Sequence, residues 1–368
     1  MSTSRFTRRY LDELLPLWLD RAFDREAGQF MEGLEIGGGP QLSGIVRTRT
    51  AARQIYTFAH AAHLGLAPAG ALATAEAAFD HLDAVAWAAD GRPGYARAFD
   101  RRTRDVTDPP VDLYDQACAL LALAWLAKAT GNDRYRHRAD DLLTAIDSRL
   151  AAPAGGFAED DRGTLPRRQN PHMHLFEACL ALWETAGPAY ADRARALFEL
   201  FRSRFLDDSL TLREFFGPEW QLDDAYGSDR LDPGHMAEWT WLVHRYDGLA
   251  GENHADVKMV LLDRALAVGR APGTPFLADE VTMAGKMKDA RRLWLQAELL
   301  KAYLVTGRRR DAGALAAAIA DDYLAPSDDG PWRDCFDLAG RFNAPSVPGS
   351  SIYHLWTAVA EIAAPDYR

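Results

Sequence analysis

Residues 172–182 read HMHLFEACLAL, an apolar run with histidine and glutamate set among leucine, alanine and phenylalanine. The apolar positions recur at helical spacing and continue nearly all round, so the segment predicts a buried helix that carries polar groups inward. Five more stretches have the same character: RQIYTFAHA from 53, LYDQACALL from 113, GHMAEWTWLV from 234, RRLWLQAELL from 291 and SIYHLWTAV from 351. Between them lie amphipathic stretches with broad charged faces, such as DRYRHRADDLLTAI from 133 and AYADRARALFELF from 189. Apolar stripes between Gly, Pro and Asp breaks predict about twelve helices, near 8–25, 45–64, 70–87, 111–130, 133–149, 172–186, 189–205, 234–246, 253–268, 288–306, 309–323 and 350–363. Alternating β-branched runs are scarce. Six buried helices wrapped by six amphipathic ones predict an all-α (α/α)6 barrel; an open solenoid of helix pairs is the alternative. No Gly/Ser/Pro-rich linker divides the chain, so residues 1–368 read as a single catalytic domain.

The chain has 368 residues, with 42 Lys plus Arg against 53 Asp plus Glu and a formal charge of −11. Such an acidic balance argues against nucleic acid, which demands a basic surface. The longest uncharged apolar run, Ala117 to Ala127, falls short of the ~18 residues of a membrane span. The N-terminus lacks the apolar stretch of a signal peptide, and the three cysteines, Cys118, Cys179 and Cys335, form no CxxC pattern. A cytoplasmic protein is the expectation. Gly37–Gly39 and Gly155–Gly156 follow no strand and precede no Lys-Ser/Thr, so they read as turns.

In a barrel, polar groups at one end of the six inner helices converge on one pocket. Four of ten histidines, His172, His174, His235 and His354, lie near the starts of inner helices. A buried imidazole costs free energy unless its nitrogens are satisfied. His174 and Glu177 are three apart, as are His235 and Glu238, so each pair shares a helix face and the carboxylate is expected to orient its ring. Two such pairs also resemble half of a bundle metal site, but no short motif adds further ligands. Asn170, followed by Pro171, reads as an N-cap. Arg53 lies among apolar residues, near Arg47 and Arg49, and needs a carboxylate or a substrate oxygen. Trp294 and Glu298 stand one turn apart, an aromatic face beside a carboxylate, as sugar sites use. The Asp-Asp pairs at 160–161, 207–208, 223–224, 321–322 and 328–329 read as caps and solvated turns.

Taken together, RTRTAARQIYTFA, DLYDQACALLALA, NPHMHLFEACLAL, PGHMAEWTWLV, RRLWLQAELL and SSIYHLW, spread from about 47 to 356, resemble the N-acylglucosamine 2-epimerase superfamily of sugar epimerases and aldose–ketose isomerases. The resemblance implies the (α/α)6 barrel and two catalytic histidines, His235 of GHxxE and His354 of YHLW. It implies that Arg53 contacts the oxygens at C1 and C2, that Asn170, His174 and Glu238 position the sugar, and that Trp294 and Glu298 line the pocket. Tyr114 and Gln116 stand where members often have YDHAF, and YDQAC here departs from that pattern at the far part of the sugar. The implied reaction removes the proton at C2 to give a cis-enediolate. Return to C1 makes the ketose; return to the other face of C2 makes the epimer. Histidine acid/base catalysis of this kind requires no cofactor and no metal. The expected function is isomerisation of an unmodified monosaccharide such as mannose to fructose, with 2-epimerisation of an N-acylglucosamine, cellobiose or mannose/glucose type as the alternative. The expected partner is a small-molecule sugar, bound by a monomer or homodimer, with no nucleic acid and no membrane. Isomerisation of an acidic sugar such as a sulfonated one, glycoside hydrolysis by two of Glu177, Glu238 and Glu298, and a non-enzymatic scaffold are the remaining readings.

Overall fold

The structure is a computed structural model, and it describes residues 2–42, 44–326 and 330–363. The pair Asp328 and Asp329 lies outside the described residues. The first helical arm is made of α1 (Ser2–Arg8) and α2 (Leu15–Arg21), joined by a π-helical turn over Arg9–Leu14. Pro16 has no N–H to give to the preceding turn, which accounts for the widened ladder in front of it. The following helices are α3 (Thr48–His63), α4 (Ala71–Ala86), α5 (Leu113–Thr130), α6 (Asp133–Leu150), α7 (Gln169–Ala186) and α8 (Ala191–Leu200). Then come α9 (Pro233–Ala250), α10 (Ala255–Gly269), α11 (Leu293–Val305), α12 (Arg309–Asp322) and α13 (Ser351–Ala363).

Helices α3, α5, α7, α9, α11 and α13 pack each on the next, and α13 packs back on α3. That closure makes the architecture an (α/α)6 barrel and excludes the open solenoid. Outside the ring α4, α6, α8, α10 and α12 each lie on the inner helix that precedes them, while α1 packs on α12 and α13. The division follows composition. In α5 the whole stretch from Gln116 to Leu126 is buried, whereas α6 buries one stripe containing Tyr135, Ala139, Leu142 and Ile146.

The connections into the inner helices carry short strands of two or three residues. One of them, Arg291–Arg292, pairs with Cys335–Phe336, so α11 begins at Leu293 and not at 288. Two buried glutamines fasten inner helices to these connections. Gln116 donates to Tyr95 O and accepts from Tyr95 N, and Gln296 does the same with Leu277. Each amide side chain thus completes the hydrogen bonding of a buried loop residue, as a strand would.

Candidate active site

A cavity of about 220 Å³ opens at the N-terminal end of the inner helices. Every inner helix contributes to its wall or rim: Arg53 from α3, Tyr114 from α5, Asn170 and His174 from α7, His235 and Glu238 from α9, Trp294 from α11 and His354 from α13. Asp232, Arg292 and Ser350, each immediately before or at the mouth of an inner helix, complete it. Six helix N-termini facing one space favour negative charge there.

The two outer histidines flank Trp294, whose ring lies 5.2 Å from the His235 ring and 5.2 Å from that of His354. Each gives Nδ1–H to a buried carboxylate, which leaves Nε2 for chemistry. His354 bonds Glu298 at 2.7 Å. His235 bonds Glu214 at 3.0 Å, with Asp232 3.6 Å away. The expected pairing of His235 with Glu238 is therefore not the one formed. Asp232 caps α9 through the N–H groups of Gly234 and His235, so its own carboxylate is held under the ring. Glu214 comes from the loop before Phe215, where Gln169 donates to the same oxygen at 2.9 Å.

These environments separate the two imidazoles. Burial works against charge on His235, but Asp232 and Glu214 outweigh it and lift the ring to about 9. Burial dominates at His354, with Arg53 and Lys301 adding to it, and its pKa falls well below the usual histidine value. At neutral pH His235 is a cation and His354 a neutral base. Glu298 is fully buried behind His354 and is absent from the cavity wall; its second oxygen lies 2.7 Å from Lys301, which is also buried. The expectation that Glu298 lines the pocket is thus corrected: it touches the base and not the space.

His174 is fixed from both sides. Its Nδ1 donates to Glu177 at 3.2 Å, its Nε2 accepts from Arg53 at 3.1 Å, and its ring stacks on Tyr114 at 4.7 Å. Burial, opposed by the Glu177 hydrogen bond, lowers it to about 4, so it is neutral. The Tyr353 hydroxyl also donates to Glu177, at 2.5 Å. The pairing of His174 with Glu177 is as the spacing predicts. Of the three arginines around α3, Arg47 pairs with Glu32 and Arg49 holds Asp115 through Nε and Nη2. Among the described residues, Arg53 has no carboxylate in hydrogen-bond contact. It lies between the Tyr114 and Tyr353 rings, donates to Tyr114 Oη at 2.6 Å, and is buried. A guanidinium so placed stays charged and reserves its attraction for an incoming oxygen.

Asn170 is the second residue of α7 and not its cap; Arg168 is the capping residue, and Gln169 N donates to Glu214 O. Freed from capping, Asn170 lines the cavity with a buried Oδ1 that has no hydrogen-bond partner among the described residues. His172 stands apart. It bonds Arg168 O and the Phe157 N–H, and burial lowers it to about 3. Gln116 reaches the Tyr95 backbone and not the cavity, so the YDQAC departure falls on a loop clamp, while Tyr114 lies in the wall. Among the described residues, two groups have donor atoms close enough for a cation: His174, Glu177 and Glu238, and Glu238, Glu298 and His354.

Glu214, Asp232 and Lys301 were not singled out from the sequence. Asp232 had a signal, an Asp-Pro helix start three residues before His235. Lys301 is the one basic residue in the apolar run of α11, three residues after Glu298. Glu214 lies 21 residues before its histidine, in a loop, and nothing local marks it.

Two buried histidines, each on a carboxylate, and a buried guanidinium thus meet in one polar cavity at the mouth of an (α/α)6 barrel. The N-acylglucosamine 2-epimerase family model matches residues 28–358. Mannose-6-phosphate isomerase of Rhizobium meliloti (strain 1021) is 35% identical over 373 residues, spanning 95% of this chain and 94% of that protein. The fold is shared with D-mannose isomerase, at a TM-score of 0.89 and 20% identity over 99% of each chain. It is shared also with cellobiose 2-epimerase from Bacillus thermoamylovorans B4167, at a TM-score of 0.86 and 20% identity over 99% of each chain. The chain belongs to the N-acylglucosamine 2-epimerase family and is an isomerase, in the broad sense that includes epimerases. Among the described residues no helix is long and apolar enough to cross a membrane.

Proposed function

We propose that this chain interconverts an unmodified aldose and its ketose, mannose and fructose, through a cis-enediolate. The observation that carries the reading is the inequality of the two histidines. His235, a cation held by Glu214 and Asp232, supplies the proton that opens the sugar ring. His354, neutral with Nδ1–H on Glu298, takes the C2 proton on Nε2 and returns it to C1 on the same face, while His235 moves the hydroxyl proton from O2 to O1. Arg53 and the six helix N-termini stabilise the enediolate. A single donor to such an oxyanion contributes ~3–4 kcal/mol.

Epimerisation asks more of the pair. Each histidine must serve as base for one epimer and as acid for the other, so their protonation states must exchange between turnovers. Each pKa unit between them makes that exchange costlier by about 1.4 kcal/mol, and here the two are pushed in opposite directions. Isomerisation needs one base only. The cavity of about 220 Å³ lies below the ~300–1,000 Å³ of drug-sized sites, which favours one small sugar over a disaccharide. A sugar phosphate fits less well. Arg292 at the mouth is bound to Asp279 at 2.5 Å, and Asp232 would oppose an added anion.

Incubation with mannose, fructose, glucose and mannose 6-phosphate in D2O with EDTA, followed by NMR, tests the proposal. Mannose–fructose conversion with label at C1 or C2, unaffected by EDTA, is expected. Mannose–glucose exchange without fructose, or turnover of the phosphate alone, would contradict it.

A further inference from the structure

Glu238 lines the cavity yet is fully buried, and neither of its carboxylate oxygens has a hydrogen-bond partner among the described residues. An ionised carboxylate in that position forfeits its hydration for nothing, a cost of several kcal/mol. Its neighbours are already balanced without it. On α7, Glu177 accepts hydrogen bonds from His174 and Tyr353. On α11, Glu298 is paired with Lys301 and accepts from His354 on α13. On α9 itself, the His235 cation is matched by Glu214 and Asp232. The nearest imidazole nitrogen among the described residues, Nδ1 of His174 at 4.0 Å, donates its hydrogen bond to Glu177 instead. Arg53, held against the Tyr114 hydroxyl, is the cation that remains; it feels the field of Glu238 but makes no hydrogen bond to it among the described residues.

We propose that Glu238 is kept as an uncharged carboxylic acid at neutral pH and donates a hydrogen bond to the sugar oxygen on which enediolate charge develops, beside Arg53. The proton stays on Glu238 throughout, so the step shifts charge without a net transfer. Burial, reinforced by Glu298, raises its pKa well above the ordinary carboxylate range. A neutral donor in a dry site resists charge build-up less than a second cation would, yet still strengthens as the oxyanion forms. A bound cation is the rival occupant, since both groups of three with suitable spacing include Glu238. The Nδ1 protons of His174 and His354 already lie against two of those carboxylates, and the Lys301 ammonium lies against Glu298, so a proton suits the space better. The protonation half of the proposal stands alone; the donor half rests on the enediolate reading above.

Infrared difference spectra of wild type minus Glu238→Gln, without sugar at neutral pH, should contain the C=O stretch of a protonated carboxyl that shifts in D2O. Difference bands from carboxylate only, or loss of the C=O stretch in Glu298→Gln instead, would overturn the protonation. So would loss of that stretch when Mg2+, Mn2+ or Zn2+ is added to the wild type. Protein with carbon-13-labelled glutamate allows the same measurement on wild type alone if a variant does not fold. For the donor half, mannose should move the C=O band, and kcat should fall by about 10²–10³-fold in Glu238→Ala. Glu238→Gln, which still offers an N–H, should lie about tenfold or more above Glu238→Ala. An unmoved band, or equal losses, would overturn it. Absence of any sugar isomerisation in the wild type would instead contradict the enediolate reading and leave the infrared result intact.

Discussion

Oε1 of Glu298 lies 2.7 Å from Nδ1 of His354, while Oε2 of the same carboxylate lies 2.7 Å from Nζ of Lys301. The equivalent contact at the other histidine, Glu214 to His235, has no lysine ion-paired behind it among the described residues and has Asp232 in support. One ammonium and one aspartate thus separate two otherwise similar imidazole–carboxylate pairs. Lys301 lets Glu298 orient His354 without charging it; Asp232 helps Glu214 to keep His235 charged.

Replacing Lys301 by Met should move the acid limb of the kcat/KM profile upward. The limb falls where His354 gains a proton, below the usual histidine value, and removing a nearby cation raises that point. A pH profile of the folded variant checks it, and an unchanged acid limb would count against the role given to the lysine.

The alkaline limb belongs to His235. Activity should be lost as pH rises through about 9, where the imidazolium gives up its proton. Glu214→Gln keeps an acceptor but removes the charge, so the limb should shift to lower pH. Since Gln169 also bonds Glu214, some stability should be lost too, on the order of 1–2 kcal/mol. Rate profiles and denaturant melts of the same preparation separate the two effects.

Arg53→Ala should lower kcat by about 10²–10³-fold, and Arg53→Lys should recover little of it. The lysine ammonium has no planar fork to span Tyr114, His174 and a sugar oxygen together. Recovery of most of the activity by lysine, in steady-state assays, would show that bare charge suffices.

Much of the barrel was legible because the inner helices are apolar on nearly every face and the outer ones are not, a contrast that survives without any alignment. Helix starts were less legible. Asn170-Pro171 has the composition of a cap, yet the strand pair before α7 carries Arg168 into that position. In the site, helical spacing found the contact within α7, His174 to Glu177, because residues three apart share a face. It misassigned His235, whose partner Glu214 arrives from a separate loop, and it placed Glu298 on the cavity when the side chain turns to His354 behind it. Contacts between elements are set by packing, and no local pattern records them.

Gln116 offers a check on that boundary between scaffold and site. Its amide closes both backbone bonds of Tyr95, so Gln116→Ala leaves a buried N–H and C=O unpaired. A loss of about 2–4 kcal/mol in stability is expected, with kcat per folded molecule nearly unchanged. Chemical denaturation beside active-site titration would reveal a direct sugar contact if kcat fell instead.

The account turns on one neutral base carrying a proton between adjacent carbons on one face. Mannose deuterated at C2, converted by wild-type protein in H2O and followed by NMR from the earliest turnovers, tests this directly. Part of the deuterium should appear at a single one of the two C1 positions of fructose, and His354→Gln should abolish the transfer. Glucose carrying solvent hydrogen at C2, with no label at C1 of any ketose, would contradict it.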